Sequence, residues 1–188
     1  FLNNTAPNYI GGKIIGKQRP IHYDYSSLRL TPAETRAQFV RLGWRRVLSY
    51  QTSKFIHKSE QKSTVATALE ANSNILVHST ASFNQESDNY HYSLIRCHKQ
   101  LMKYYPPERA THAILPYRLK SAGLREILLR SIICRNYGCS HLIVDPNDIG
   151  NAVDSAEIIE KAKSEIGIEL IIREDYKYSA QIDDYLPS

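Results

Sequence analysis

Sulfur and the largest side chains are scarce in this chain. Its 188 residues hold three cysteines, one methionine, one tryptophan and four phenylalanines. Cys97, Cys134 and Cys139 form an odd set without framework spacing, which argues against a disulfide-stapled scaffold and for a reducing, cytoplasmic compartment. Cys134 and Cys139 enclose four residues, and no second Cys or His pair lies at finger spacing. They read as two core thiols at a helix end, and no metal site is expected. There is no run of 18 apolar residues and no recognisable signal peptide, so no membrane contact is expected. The chain starts at Phe1 rather than methionine, which leaves a removed leader or a longer parent protein open. Runs of one charge sign are also missing. Lys and Arg are scattered, and the 13 tyrosines do not interleave with a basic stripe, so no nucleic-acid partner is expected.

What is present fits a single α/β domain with a small appendage. Hydrophobic residues make up 42% and charged residues 23%, an ordinary globular balance. The net charge of +5 fits either a solvated basic surface or attraction for an anionic ligand.

Residues 1–30 contain Gly11-Gly12, short β-branched runs and little helical periodicity, and read as one or two strands and an extended linker. Thr31, Pro32 and Glu34 then fit the N-cap, first and third positions of a helix with a capping box. Ala37, Val40 and Phe39 supply its inward face, and Gly43 ends it.

From there the pattern alternates. Strand-like runs are Val47–Tyr50, Ile75–His78, Ala113–Leu115, His141–Val144 and Ile168–Ile172, with helix-like segments near 57–71, 90–104, 122–137 and 152–166. This predicts a doubly wound, parallel five-stranded sheet with helices on both faces. In such sheets the first and fourth strands are neighbours where the strand order reverses, and ligands sit beyond their carboxyl ends. The segments "QTSKFIH" after the first strand and "DPNDIG" after the fourth therefore face one crevice. The first of these opens a helix, whose dipole-positive N–H groups stand beside Lys54, His57 and Lys58. Glu60, one turn further on, is the wrong sign for a phosphate site.

"LRLTPAETRAQFVRLGWRRVLSYQT" and "ILPYRLKSAGLREILLRSIICRNYGCSHLIV", with "PNYIGGKI" near the start and "YLP" near the end, resemble the ATP sulfurylases (sulfate adenylyltransferases) over nearly the whole chain. The resemblance implies that residues 1–30 are the tail or linker of an N-terminal β-rich, PUA-like domain, and that 31–188 form a nucleotidyltransferase domain. It also implies attack of a sulfate oxygen on the α-phosphate of ATP, a reaction carried mostly by positioning and positive charge.

The family motif after the first strand reads Q-T-R-N-P-x-H-x-x-H, and a second motif, G-R-D-H-A-G, follows the fourth. Gln51, Thr52, His57 and Gly150 match, whereas Ser53, Lys54, Phe55 and Glu60 replace the Arg, Asn, Pro and second His. Asp145, Pro146, Asn147, Asp148 and Ile149 replace the rest of the second motif. Between them Ala122, Gly123, Arg125 and Glu126 are kept, with Leu119 and Lys120 for the family's Met and Arg. The nucleotide- or anion-binding set implied is Gln51, Thr52, Lys54, His57, Lys120, Ala122, Gly123, Val144 and Gly150, with His57 and Lys54 as catalytic candidates.

Two arginines and a histidine are lost, three carboxylates arrive, and Lys54 alone compensates. A carboxylate about 4 Å from a phosphate oxygen costs roughly 1 kcal/mol in water and about 4 kcal/mol in a partly buried site. The expectation is therefore a non-catalytic regulatory or scaffolding domain with weak nucleotide or anion binding. The alternative is an active nucleotidyltransferase using ATP with Mg²⁺, on sulfate or another acceptor.

Single residues keep two readings each. His57 contacts a phosphate or is an exposed helix-start residue. Lys54 binds or is solvated, and Gln51 binds or caps a strand end. Asp145 and Asp148 hold Mg²⁺ or form an Asx-type turn. Arg125 and Glu126 form an ion pair or touch ligand, while His141 and Tyr137 are structural. Partners in view are a nucleotide or sulfate-like anion, a further copy of the chain, or a fused domain.

Overall fold

The computed structural model describes residues 11–18, 21–80, 88–117, 123–149 and 155–187. The elements run α1 (Pro32–Arg41), β1 (Val47–Thr52), α2 (Lys58–Glu70), β2 (Asn74–Thr80), α3 (Asp88–Leu101), β3 (Ala110–Leu115), α4 (Leu124–Asn136), β4 (His141–Val144), α5 (Pro146–Ile149), α6 (Ser155–Lys161), β5 (Glu169–Ile172), β6 (Tyr176–Ser179) and β7 (Asp184–Pro187). Strands β1 to β5 form one parallel sheet in the order β3-β2-β1-β4-β5. Leu48 pairs with His141 and Ser49 with Leu142, so β1 and β4 are neighbours at the reversal of strand order.

Both faces of the sheet are covered, and the pleat divides the side chains between them. Val47, Leu76, Ala113, Leu142 and Val144 join Phe39 of α1 and Ile127 and Cys134 of α4 in one core. Leu48, Tyr50, Ile75, Val77 and Ile143 pack with Ala68 of α2 and Tyr105 on the other. Every residue of β1 is buried, as a central parallel strand requires. Cys134 and Cys139 lie in the core as expected, and Cys97 is exposed on α3.

The N-terminal part differs from its sequence reading. Residues 11–18 and 21–30 contain a single 3-10 turn, Ser26–Leu28, and no strand among the described positions. Ile14 and Ile15 are 93% and 76% exposed, and the β-branched run pairs with no strand among the described residues. The capping box of α1 forms as read, with the Thr31 N–H donating to Glu34 Oε2 at 2.7 Å and the Glu34 N–H to Thr31 Oγ1 at 3.3 Å. Its buried face, however, is Thr35 and Phe39, while Val40 is 80% exposed. Phe39 stacks on Trp44 at 5.6 Å, which sets the rotation of the helix.

The C-terminal hairpin of β6 and β7 is an element the sequence pattern did not disclose. It docks on α2: Lys62 pairs with Asp184, the Lys58 ammonium lies 5.6 Å from the Tyr185 ring centre, and Ser63 Oγ donates to the Glu174 carbonyl at 2.8 Å.

A polar chain runs through the core beneath β1 and β2. The Lys54 carbonyl can only accept, so His98 donates to it from Nε2 at 3.0 Å. His98 Nδ1 is then the acceptor for the Ser79 hydroxyl at 2.6 Å, and Ser79 Oγ accepts in turn from His112 Nε2 at 2.6 Å. This chain ties the loop after β1 to β2, α3 and β3. His112 Nδ1 ends it without a partner among the described residues. On the opposite face His78 is fully buried, 3.3 Å from Ser49 Oγ and edge-on to Tyr137.

Two outcomes follow from this core. Burial pulls both His78 and His112 down to about 3 from the ordinary value of 6.5. Between those limits the unfolded chain takes up protons that the folded chain refuses, so the stability they contribute is present above pH 6.5 and lost as pH falls toward 3. Urea titrations from neutral to mildly acidic pH should show a loss of about 1.4 kcal/mol per pH unit for each histidine. The variant His112→Gln should remove one such increment. Separately, Gly138 holds φ +87°, and an added Cβ would lie 2.6 Å from Arg36 Cγ. Gly138→Ala should destabilise by at least about 1–2 kcal/mol, read from the denaturation midpoint.

Candidate functional site

A cavity of about 190 Å³ opens at the carboxyl ends of β1, β4 and β5, at the reversal of strand order. Pleat alternation decides which side chains reach it. Gln51 lies on the α4 side of β1, while Tyr50 and Thr52 lie on the α2 side. From β4 the wall takes Ile143 and, just past the strand, Asp145; Val144 faces the other way, into the α4 core at 1% exposure. The proposed contact at Val144 therefore belongs to the core side of the sheet.

Two arginines that the sequence reading did not nominate dominate the wall. Arg130 comes from α4 and is only 4% exposed. Its Nε donates to Gln51 Oε1 at 3.1 Å and its Nη1 to Asp148 Oδ2 at 2.8 Å. Arg173 stands one residue beyond β5, where its N–H bonds the Val144 carbonyl at 2.9 Å. Its Nη2 donates to Asp145 Oδ2 at 2.7 Å, and its Nη1 is 3.6 Å from Glu60 Oε1. These pairs raise the Arg173 pKa against the opposing effect of burial, so it stays charged.

Glu60 now has two structural tasks. As the third residue of α2 it accepts the His57 backbone N–H at 2.9 Å through Oε2, capping the helix, and its other oxygen faces Arg173. Asp145 precedes the single helical turn α5 and Asp148 is its third residue, with the Asp148 N–H on the Asp145 carbonyl at 2.9 Å. Their carboxylates reach arginines on other elements. Among the described residues the cavity wall holds Lys54, Arg130 and Arg173 against Glu60, Glu126, Asp145 and Asp148, three cations against four carboxylates. Lys54 is thus joined by two guanidinium groups that offset the acquired acids.

The loop after β1 is held at several points. Thr52 Oγ1 accepts the Lys54 N–H at 3.1 Å, Tyr90 donates to the Ser53 carbonyl at 3.3 Å, and His98 holds the Lys54 carbonyl. Gln51, Thr52, Ser53 and Lys54 all line the cavity. His57 is exposed at the N-cap of α2 and does not line it. Gly123, at φ +67°, is the N-cap of α4 and is likewise outside the wall. Lys120, Ala122 and Gly150 lie outside the described residues.

Glu126 is buried on the wall and accepts from Tyr117 at 3.2 Å, whereas Arg125 is exposed. Tyr50 also lines the cavity; burial first, then Glu60, raises its pKa, so it remains a neutral phenol. His141 is structural: Arg46 donates to its Nε2 at 2.9 Å, which leaves the proton on Nδ1, 2.7 Å from Ser140 Oγ. Among the described residues, no group of three or more His, Cys, Asp or Glu side chains is placed to hold a metal ion.

Arg130 and Arg173 were legible in part. Arg130 interrupts the apolar stretch "ILLRSII", a sign of a buried cation with a partner, and Arg173 follows its strand as Asp145 follows β4. That they meet the acids of the crevice depends on packing between elements.

Comparison with known proteins agrees with this geometry. The ATP-sulfurylase family profile matches residues 26–186. The sulfate adenylyltransferases of Mycosarcoma maydis and Yarrowia lipolytica (strain CLIB 122 / E 150) are 33% and 34% identical over the whole chain. That of Eremothecium gossypii (strain ATCC 10895 / CBS 109.51 / FGSC 9923 / NRRL Y-1056) is also 34% identical. The chain spans 35% of the length of the first two and 40% of the third. Among solved structures, a hexameric APS kinase from Thiobacillus denitrificans superposes with a TM-score of 0.78 at 32% identity, covering 89% of this chain and 32% of that one. With a profile matched over nearly its whole length, the chain belongs to the ATP-sulfurylase family.

Proposed function

We propose that this domain is a nucleotide-binding member of the family that does not activate sulfate at an enzyme-like rate, and that it serves a larger protein as a regulatory or scaffolding unit. The observation that carries this reading is the pairing of both cavity arginines with the chain's own carboxylates, Arg130 with Asp148 and Arg173 with Asp145. Transfer of a nucleotidyl group to sulfate needs cations free to meet charge that develops in the transition state. Guanidinium groups already paired with carboxylates must give up those partners before they can serve, and Ser53 offers a hydroxyl where the family motif has arginine.

Binding is better supported than chemistry. The cavity lies at the switch point of a doubly wound sheet, where nucleotides are held in such folds. Gln51, Thr52 and Lys54 remain on its wall. The ligand class is a nucleotide or sulfate-like anion, with Mg²⁺ accompanying ATP. Free thiols at Cys97, Cys134 and Cys139 favour a reducing cytoplasm. The chain spans only a third of its fungal relatives, and a protein named for a hexameric APS kinase contains a region of this fold. Both facts support a fused partner domain and a homo-oligomeric parent, with residues 1–30 as the link to a preceding β-rich domain.

One observation favours an active sulfate adenylyltransferase instead. Arg130 and Arg173 bring two guanidinium groups to a crevice whose motifs lack two arginines. Pyrophosphate release from ATP, Mg²⁺ and sulfate separates the readings. A turnover far below about 1 per second is expected, since ordinary enzymes exceed that rate. ATP alone should still raise thermal stability, by about 2.7 kcal/mol at a hundred times its dissociation constant. Sulfate-dependent turnover at enzyme-like rates would establish the catalytic reading, and no shift with ATP would remove the binding one.

A further inference from the structure

We infer that Asp148 occupies the seat of the ligand's oxyanion: a sulfate- or phosphate-type group binds between Gln51 Nε2 and Arg130, and it does so by displacing the Asp148 carboxylate. This rests on reading the cavity as a nucleotide or anion site.

Gln51 points to the seat. Its side chain is 4% exposed and lines the cavity. Its Oε1 accepts from Arg130, while its Nε2 is buried with no partner among the described residues. A buried amide donor left unpaired is costly and rare in folded proteins. An acceptor oxygen held beside Arg130 would satisfy it. Among the described residues the anion on Arg130 is Asp148, at 2.8 Å from Nη1.

Exposure decides which partner of the pair can leave. The Arg130 side chain is 4% exposed and that of Asp148 is 32% exposed. Asp148 can turn to water and keep its charge solvated, whereas an unpaired Arg130 would be stranded in the interior. An incoming oxyanion that takes over Arg130 releases Asp148 without leaving a buried charge. The sign of the cavity points the same way. Among the described residues the wall carries three cations against four carboxylates, so an anion gains little by simply adding to it.

Asp148 then acts as a specificity residue. A ligand must outcompete a carboxylate for a guanidinium, so monocarboxylates bind poorly, and dianionic sulfate or phosphoryl groups are favoured. Asp145 holds Arg173 by an equivalent contact at 2.7 Å, but no unpartnered amide lies beside it among the described residues, so the exchange is assigned to Arg130.

The test is calorimetric titration with inorganic sulfate, inorganic phosphate and acetate. Asp148→Asn removes the competing charge and keeps the side-chain shape. It should bind sulfate or phosphate at least roughly tenfold more tightly than wild type, with little gain for acetate. Glu157→Gln deletes one carboxylate from the exposed face of α6, where it pairs with Lys161, and should leave the affinities unchanged. Adding Gln51→Met to Asp148→Asn keeps volume but removes the orphan amide, and should abolish the gain; circular dichroism verifies that both variants fold.

Sulfate and phosphate affinity in Asp148→Asn no greater than in Glu157→Gln would overturn the exchange, as would a gain that survives loss of the Gln51 amide. If wild type also gives no thermal shift with ATP, the cavity reading itself fails. If ATP binds and only the exchange is missing, this inference fails alone.

Discussion

Because β1 and β4 pair in parallel at the centre of a sheet covered on both faces, their carboxyl ends converge on a crevice whose innermost polar groups, Gln51 and Arg130, are buried. A charge brought to such a place has to find an opposite charge or a ligand. The rest of the site answers that constraint. Arg130 enters from α4 and meets Asp148, Arg173 follows β5 and meets Asp145, and Glu60 is shared between Arg173 and the first turn of α2. Removing either arginine leaves its carboxylate partners unpaired, so the wall is held by two ion-pair groups, one around Arg130 and one around Arg173.

The same constraint fixes the course of the loop after β1 independently of its side chains at positions 53–55. Its backbone is held from the core, by Thr52 within the loop and by the His98–Ser79–His112 chain below. None of these bonds involves the side chains of Ser53, Lys54 or Phe55. Side chains at these three positions can therefore vary without the strand–loop–helix junction losing its shape. The course of the loop and the chemistry of its side chains are separable here.

Packing of the C-terminal hairpin on α2 adds a second boundary. The contacts of Lys58, Lys62 and Ser63 with Tyr185, Asp184 and Glu174 hold the chain beyond β5 against the helix that Glu60 caps. Arg173 sits between these two attachments. Its position beside Asp145 thus depends on elements far apart in sequence: the end of β4, the start of α2 and the return of the hairpin.

The sequence alone determined the alternation of strands and helices, the capping box at Thr31 and Glu34, the buried thiols and the adjacency of the two crevice segments. All are local, or follow from the few topologies a parallel sheet allows. It also carried the family motifs and their departures at Ser53, Lys54 and Glu60. The tertiary structure decided the rest. Which face of α1 is buried depended on Trp44 and the core beneath it, so Val40 lay outside and Thr35 inside. Pleat parity turned Val144 into the α4 core and Gln51 toward Arg130. Above all, the acids of the crevice read in sequence as uncompensated charge, because their partners are far along the chain: Arg130 from Gln51 and Asp148, and Arg173 from Glu60 and Asp145. Ion pairing depends on distance in space, which no local pattern encodes.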